Sequence, residues 1–239
     1  MRVLAVDLET SGLDKEKDEI TEIGWCLYDT DRCSPLVTGG GLVAPTSENG
    51  IVALRPEIVA LNGITNEDRC AFGASLAARV TALSAIAVRG EAEWFVAHNA
   101  PFDMGFLLRG ANPPEAWLTI HSLPWIDTRT DLPLAEEATS SRLQHLLADH
   151  GIIQPFRHRA LFDALGCCLL LAKYPIEEVV RRAKAPTVTL IAQVSYDDRE
   201  LAKARRYRWD GATKTWSRKL KDFEAAAEIA AAPFAVTVR

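Results

Sequence analysis

Apolar positions along the chain alternate between short unbroken runs and helical spacing. Val3-Leu4-Ala5-Val6 is an apolar run without helical period and predicts a buried strand. Residues 19–28 alternate as a second strand and 36–43 as a third, which Gly39-Gly40-Gly41 should weaken or bulge. Leu76, Val80, Leu83 and Ala87 share one face of a helix over 74–87. Trp94-Phe95-Val96-Ala97 reads as another buried strand, closed by His98-Asn99, and Pro101 suits the start of a helix over 101–109. A fifth strand is predicted at 117–123. A helix at 141–150 has Ser140 or Ser141 to cap it and Gly151 to stop it. Residues 160–172 are apolar nearly all round, as in a central helix.

The pattern breaks between Pro175 and Pro186, then resumes as a strand (187–195), a helix (197–206), a hairpin about Asp210-Gly211, a helix (222–231) and a strand (234–238). Strands followed by helices predict an α/β fold with a mixed sheet flanked by helices. The predicted organisation is a domain over 1–175, a linker over 176–186 and a small α+β domain over 187–239.

The 239 residues, 48% hydrophobic and 25% charged, are ordinary for a globular chain and exclude a disordered, collagenous or coiled-coil one. No run approaches 18 apolar residues and the first ten residues lack a secretory core, so the expected location is the cytoplasm, with no membrane partner. Five cysteines without a C-x-x-C pair argue for reduced thiols. The net charge of −5 is uneven: residues 186–239 carry 10 Lys/Arg and 7 Asp/Glu, a net +3, which leaves −8 for the rest. An acidic body with a basic tail is therefore expected.

Acidic residues carry the candidate chemistry. Asp7 and Glu9 end the first strand at a spacing of two, which puts both on one face. Side by side they repel unless a cation joins them, although an isolated D-x-E is more often a solvated junction. Thr10-Ser11-Gly12 follow as a small-residue turn whose backbone N–H groups could approach a phosphate. Asp103 falls in a first helical turn, where the dipole alone favours an acid. Asp163 is more telling, because it sits among Leu161, Phe162, Ala164 and Leu165, and a carboxylate so placed needs a partner. His158 lies five positions earlier, about 140° away on an ideal helix. It is expected on the preceding loop or first turn, from where it can swing toward the same centre.

Three strings follow in order: Asp7-x-Glu9-Thr10-Ser11-Gly12, then His98-Asn99-Ala100-Pro101-Phe102-Asp103, then His158-Arg-Ala-Leu-Phe-Asp163. Over roughly residues 1–175 they resemble the motifs of the DEDDh 3′→5′ exonucleases, the superfamily of the polymerase III epsilon subunit, exonuclease X and ribonuclease T. Ile126-Asp127-Thr128 and the helix before Gly151 also look like family positions. The resemblance implies a ribonuclease-H-like fold and a nucleic-acid 3′ end, expected single-stranded, as substrate. It implies two Mg²⁺ ions, with Mn²⁺ as the alternative, held by Asp7, Glu9, Asp103 and Asp163, and His158 as general base. Thr10, Ser11, Gly12, Leu13, His98, Asn99 and Phe102 are the implied substrate contacts. Homodimerisation and association with a polymerase are the protein contacts it suggests, although no polymerase-binding segment is recognisable. A binding module without turnover is the competing class, and the complete set of five residues argues against it.

Nine basic residues lie between Arg199 and Lys221, interleaved with Tyr207, Trp209 and Trp216. Such a mixture can attract phosphates and stack on unpaired bases. The alternative is that the Trp pair is core beneath a solvated basic helix. The string ARRYRWDGATKTW resembles a small domain of unknown function appended to DNA-processing proteins.

Overall fold

Alternation along the first strand divides the main core in two. The computed structural model describes residues 1–46, 51, 53–109, 114–134 and 140–239. In it β1 (Arg2–Thr10) is central to a sheet with β2 (Ile20–Asp29), β3 (Ser34–Leu42), β4 (Trp94–Ala97) and β5 (Trp125–Asp127), ordered β3-β2-β1-β4-β5. The β1–β2 and β2–β3 pairs are antiparallel and the β1–β4 and β4–β5 pairs parallel, so the sheet is mixed. Val3 and Ala5 face one layer, with Ala164, Cys167 and Cys168 of α7 (Ala160–Leu171) and Leu146 and Leu147 of α6 (Leu143–Asp149). Leu4, Val6 and Leu8 face the other, with Val80 and Leu83 of α3 (Leu76–Arg89), Phe106 and Leu107 of α4 (Ala100–Arg109) and Ile120 of α5 (Pro114–Ser122). The result is a mixed sheet between two helical layers.

Two glycines explain how closely these layers approach. A Cβ on Gly24 of β2 would run into the backbone of Ala160 and Leu161, so α7 lies against the strand with no side chain between them. A Cβ on Gly39 would lie 2.8 Å from the Trp25 indole, so the glycine run in β3 makes room for that ring. The run does not bulge the strand as expected. The β2–β3 register instead slips between Leu27 and Tyr28.

Three further differences from the sequence reading have physical causes. Residues 117–123 were predicted as a strand, but Pro114–Ser122 is helix α5 and the fifth strand is Trp125–Asp127. Its apolar residues fit either period, and helical spacing wins because it turns Ile120 into the α3–α4 layer. The expected linker 176–186 is mostly α8 (Ile176–Lys184). Ile176, Val179, Val180 and Ala183 recur at helical spacing and pack on the first core, with Val179 fully buried. Helices α1 (Pro56–Asn62) and α2 (Asn66–Phe72) are only seven residues each, too short for a clear periodic signal.

Met1–Ala183 and Lys184–Arg239 are separate units. The second contains β6 (Thr187–Gln193), α9 (Arg199–Ala204), β7 (Arg208–Asp210), β8 (Thr215–Lys221), α10 (Asp222–Ala231) and β9 (Ala235–Val238). Its strands pair antiparallel in the order β7-β8-β6-β9, the β-α-β-β-α-β ferredoxin-like arrangement. Leu190, Ala192, Ala202, Tyr207 and Ala225 form its core. Asp210 pairs with Thr215, and its side chain accepts from the Ala212 N–H at 2.9 Å, which closes the hairpin. Arg205 and Arg218 both pair with buried Glu228, at 2.7 and 2.8 Å, so part of the basic character of this segment is internally neutralised. No helix among the described residues is long and apolar enough to cross a membrane.

Candidate active site

At the C-terminal end of β1 the strand leaves its parallel neighbour. The β1–β4 pairing stops at Ala5–Val96, so the Leu8 N–H has no partner on β4. Asp103, 2% exposed in the first turn of α4, takes that role: its Oδ1 accepts the Leu8 N–H at 3.1 Å. Asp7 and Glu9 project from β1 on the α7 side. Asn62, the last residue of α1, donates to Glu9 Oε2 at 3.1 Å. Asp163, in the first turn of α7, accepts from Gln154 Nε2 at 2.6 Å and from the backbone N–H of His158 at 2.9 Å. Donor atoms of Glu9, His158 and Asp163 all lie within 4.8 Å of one another. Asp7 and Asp103 line the same cleft of about 640 Å³.

These acids are held where charge is costly. Burial pushes the pKa of Asp7 well up, and Asp103, Asp163 and Glu9 add repulsion. Asp103 is raised well above the usual carboxylate range, again by burial first. Glu9 rises to about 7, with burial outweighing the Asn62 hydrogen bond and the Arg159 charge that pull it down. Asp163 is raised by burial against the hydrogen bond from Gln154. Glu22, facing Glu9 across the β1–β2 ladder, is neutralised separately by Arg159, at 2.8 Å, and by the Ala160 N–H, at 2.9 Å. Carboxylates that repel one another, with Glu9, Asp163 and an imidazole within ligand distance of a common point, suit a hard divalent cation.

The remaining sequence-predicted residues divide. Thr10, Gly12, Leu13, His98 and Phe102 line the cleft; Ser11 and Asn99 do not. Ser11 turns toward Asp18, and its carbonyl accepts from Arg55 at 2.8 Å. A side chain on Gly12 would collide with the Arg55 guanidinium and Asp18, so this glycine makes room for that bond. His98 has both ring nitrogens engaged, with Thr128 Oγ1 at 3.0 Å and the Ser141 carbonyl at 2.8 Å, and burial lowers its pKa. These bonds tie the end of β4 to the segment after β5 and to the start of α6. Asn99 sits at φ 77 with its N–H on Asp127 Oδ1 at 2.8 Å. Asp127 and Thr128 thus bracket the HNAPFD string from the neighbouring strand. Leu13 is 84% exposed at the rim.

Sequence reasoning missed Asn62 and Gln154, single polar residues in short or irregular segments. It also missed Arg129, Arg142 and Arg157, which line the cleft. No spacing rule points to any of them, because they come from four separate segments and only Gln154 and Arg157 share one.

A family model described as Exonuclease (RNase_T) matches residues 4–171. The chain belongs to the exonuclease family. A second model, Domain of unknown function (DUF8626), matches residues 188–238. Among solved structures, a zinc-bound E. coli exonuclease I–single-stranded DNA complex is 18% identical at a TM-score of 0.62, covering 80% of this chain and 48% of that one. Exonuclease I in a structure bearing on its processivity gives 0.61 at the same identity and coverage. A 3′-exonuclease that recognises the histone mRNA stem-loop is 16% identical at 0.54, covering 72% of this chain and 62% of that one. The chain therefore spans about half the length of the exonuclease I structures, and the likeness establishes a shared exonuclease fold. No curated protein matches the chain in sequence.

Proposed function

We propose that this chain is a divalent-metal-dependent 3′→5′ exonuclease that hydrolyses the terminal phosphodiester of a single strand and releases nucleoside 5′-monophosphates. The observation that carries the reading is the convergence of Asp7, Glu9, Asp103 and Asp163 with His158 in one cleft. Family membership and the fold it shares with exonuclease I support it.

Asp7, Glu9, Asp103 and Asp163 would hold two Mg²⁺ ions, or Mn²⁺, whose chemistry when bound is to acidify water and stabilise charge on phosphoryl and leaving oxygens. His158 stands close enough to Glu9 and Asp163 to serve as the base that takes the proton of the attacking water. The water oxygen bonds to phosphorus, the bond to the 3′ oxygen breaks, and the proton returns to that oxygen. Thr10, Gly12, Leu13 and Phe102, which line the cleft, would hold the terminal nucleotide, with Leu13 and Phe102 offering apolar surface to a base. The deciding experiment follows release of mononucleotides from 3′-labelled DNA and RNA strands with Mg²⁺ and with chelator. Release that persists in chelator, or none with metal, would overturn the reading.

The C-terminal unit is assigned a supporting role as a second contact for the strand. Trp209 is 53% exposed, its ring 5.7 Å from that of Trp216, and Arg208, Lys214 and Lys219 are exposed nearby in sequence. Combining Trp209→Ala with Lys214→Glu and Lys219→Glu should raise KM for long strands, and an unchanged KM would remove this role.

A further inference from the structure

The arginines around the acidic cleft fall into two groups. Arg55 bonds the Ser11 carbonyl and Asp18; Arg69 pairs with Glu19 at 2.9 Å and Arg159 with Glu22 at 2.8 Å. Those side chains are committed to the fold. Arg129, Arg142 and Arg157 line the cleft, are exposed, and have no carboxylate partner among the described residues. The one hydrogen bond of the three guanidinium groups among the described residues is a long one, from Arg129 to Asn99 Oδ1 at 3.4 Å. They come from three segments: the turn after β5, the residue before α6 and the approach to α7.

Three cations that line an acidic cleft and have no carboxylate partner among the described residues are not explained by stability. An exposed guanidinium gains little from the fold when nothing opposes it. Its planar fork of donors suits a phosphate, which can accept two of its N–H groups together. Leu13, Ile58 and Leu61 give the same cleft apolar lining. A strand entering it would find apolar side chains for its bases and guanidinium groups for its phosphates.

We propose that Arg129, Arg142 and Arg157 form a phosphate track that holds the strand on the 5′ side of the scissile bond. The proposal rests on the nuclease reading and deepens it. Affinity then grows with strand length over the first few nucleotides. The track grips phosphates and ignores the sugar, so it serves DNA and RNA equally.

The test uses the full chain with Ca²⁺ and short fluorescein-labelled oligo-dT and oligo-U strands, with binding read by anisotropy across a salt series. Each of Arg129→Gln, Arg142→Gln and Arg157→Gln should weaken binding roughly twofold to tenfold. Each should also flatten the slope of log K against log salt by about 0.7, the value for one phosphate contact on a single strand. The factor should be the same for both strands, and Arg→Lys at the same positions should restore the slope. With Mg²⁺ the loss should appear in KM and leave kcat within about a factor of two. Unaltered binding and slope in the triple variant, or a loss confined to DNA or to RNA, would overturn the track. Wild-type cleavage of the p-nitrophenyl ester of thymidine 5′-monophosphate, which carries a single phosphodiester, tests the nuclease reading alone. If wild type cleaves it while the triple variant binds strands normally, the track fails and the nuclease stands. If wild type does not cleave it while the substitutions flatten the slope, the nuclease fails and the track stands.

Discussion

Asp163 accepts the backbone N–H of His158, five residues earlier, at 2.9 Å. His158 has a left-handed backbone, φ 57, so the bond holds the imidazole-bearing turn against the first turn of α7. One carboxylate thereby serves as a candidate cation ligand through its charge and positions the candidate base through its hydrogen bond.

Asp163→Asn removes the charge and keeps an acceptor for that bond. We expect metal-dependent release to fall below detection while the far-ultraviolet circular dichroism and the melting temperature stay close to wild type. Asp7→Asn should behave alike. Turnover equal to wild type in either variant contradicts the cation-ligand assignment.

His158→Asn preserves a residue type that tolerates the left-handed region. Turnover should drop by roughly 10²–10⁴, the usual contribution of a general base, while strand binding in Ca²⁺ stays at the wild-type level. Turnover equal to wild type would make His158 a bystander.

Glu9 gives a pH signature in metal-free protein. Its folded-state pKa is raised from 4.5 to about 7, so the folded chain binds the proton more tightly than the unfolded one. The stabilisation is complete below pH 4.5 and lost as the pH rises to about 7, a change of about 3 kcal/mol for this shift. In chelator, wild type should therefore melt lower at neutral pH than at mildly acid pH, and Glu9→Gln should flatten that slope. Added Mg²⁺ should raise the neutral-pH melting temperature of wild type. Parallel pH curves for wild type and Glu9→Gln would refute the assignment.

Gly24→Ala tests how α7 is seated. The added methyl would meet the backbone of Ala160 and Leu161, which cannot rotate away. A destabilisation of about 1–3 kcal/mol is expected, with loss of activity because Asp163 moves with its helix. Urea denaturation gives the first quantity, and a midpoint equal to wild type would show that α7 can retreat at no cost.

How much was legible beforehand depended on whether a feature repeats locally. The strand β1, the mostly apolar α7, the shared face of Asp7 and Glu9 and the exceptional setting of Asp163 were readable because period is written in neighbouring residues, whereas Asp103 and His158 stood out through the resemblance of their strings. The strand predicted at 117–123 failed because a short apolar run fits either period, and only the α3–α4 layer chose helix. The linker expected at 176–186 is mostly helix because Ile176, Val179, Val180 and Ala183, a short periodic set between Pro175 and Pro186, gain their packing only from the first core. His98, expected as a substrate contact, lines the cleft while Thr128 and the Ser141 carbonyl engage both its nitrogens, partners that no local pattern announces.

By itself, the order of residues determined the alternation that turns Asp7 and Glu9 to one face, the apolar helix that forces a partner on Asp163, and the contrast of acidic body and basic tail. Tertiary structure decided what those acids face. It brought Asn62, Arg129, Arg142 and Arg157 to one cleft and Gln154 onto Asp163, and it set Glu22 apart on Arg159. The physical reason is range: periodicity acts between residues a few positions apart, whereas desolvation, repulsion and ion pairing act through space, and their partners exist only once the layers have packed.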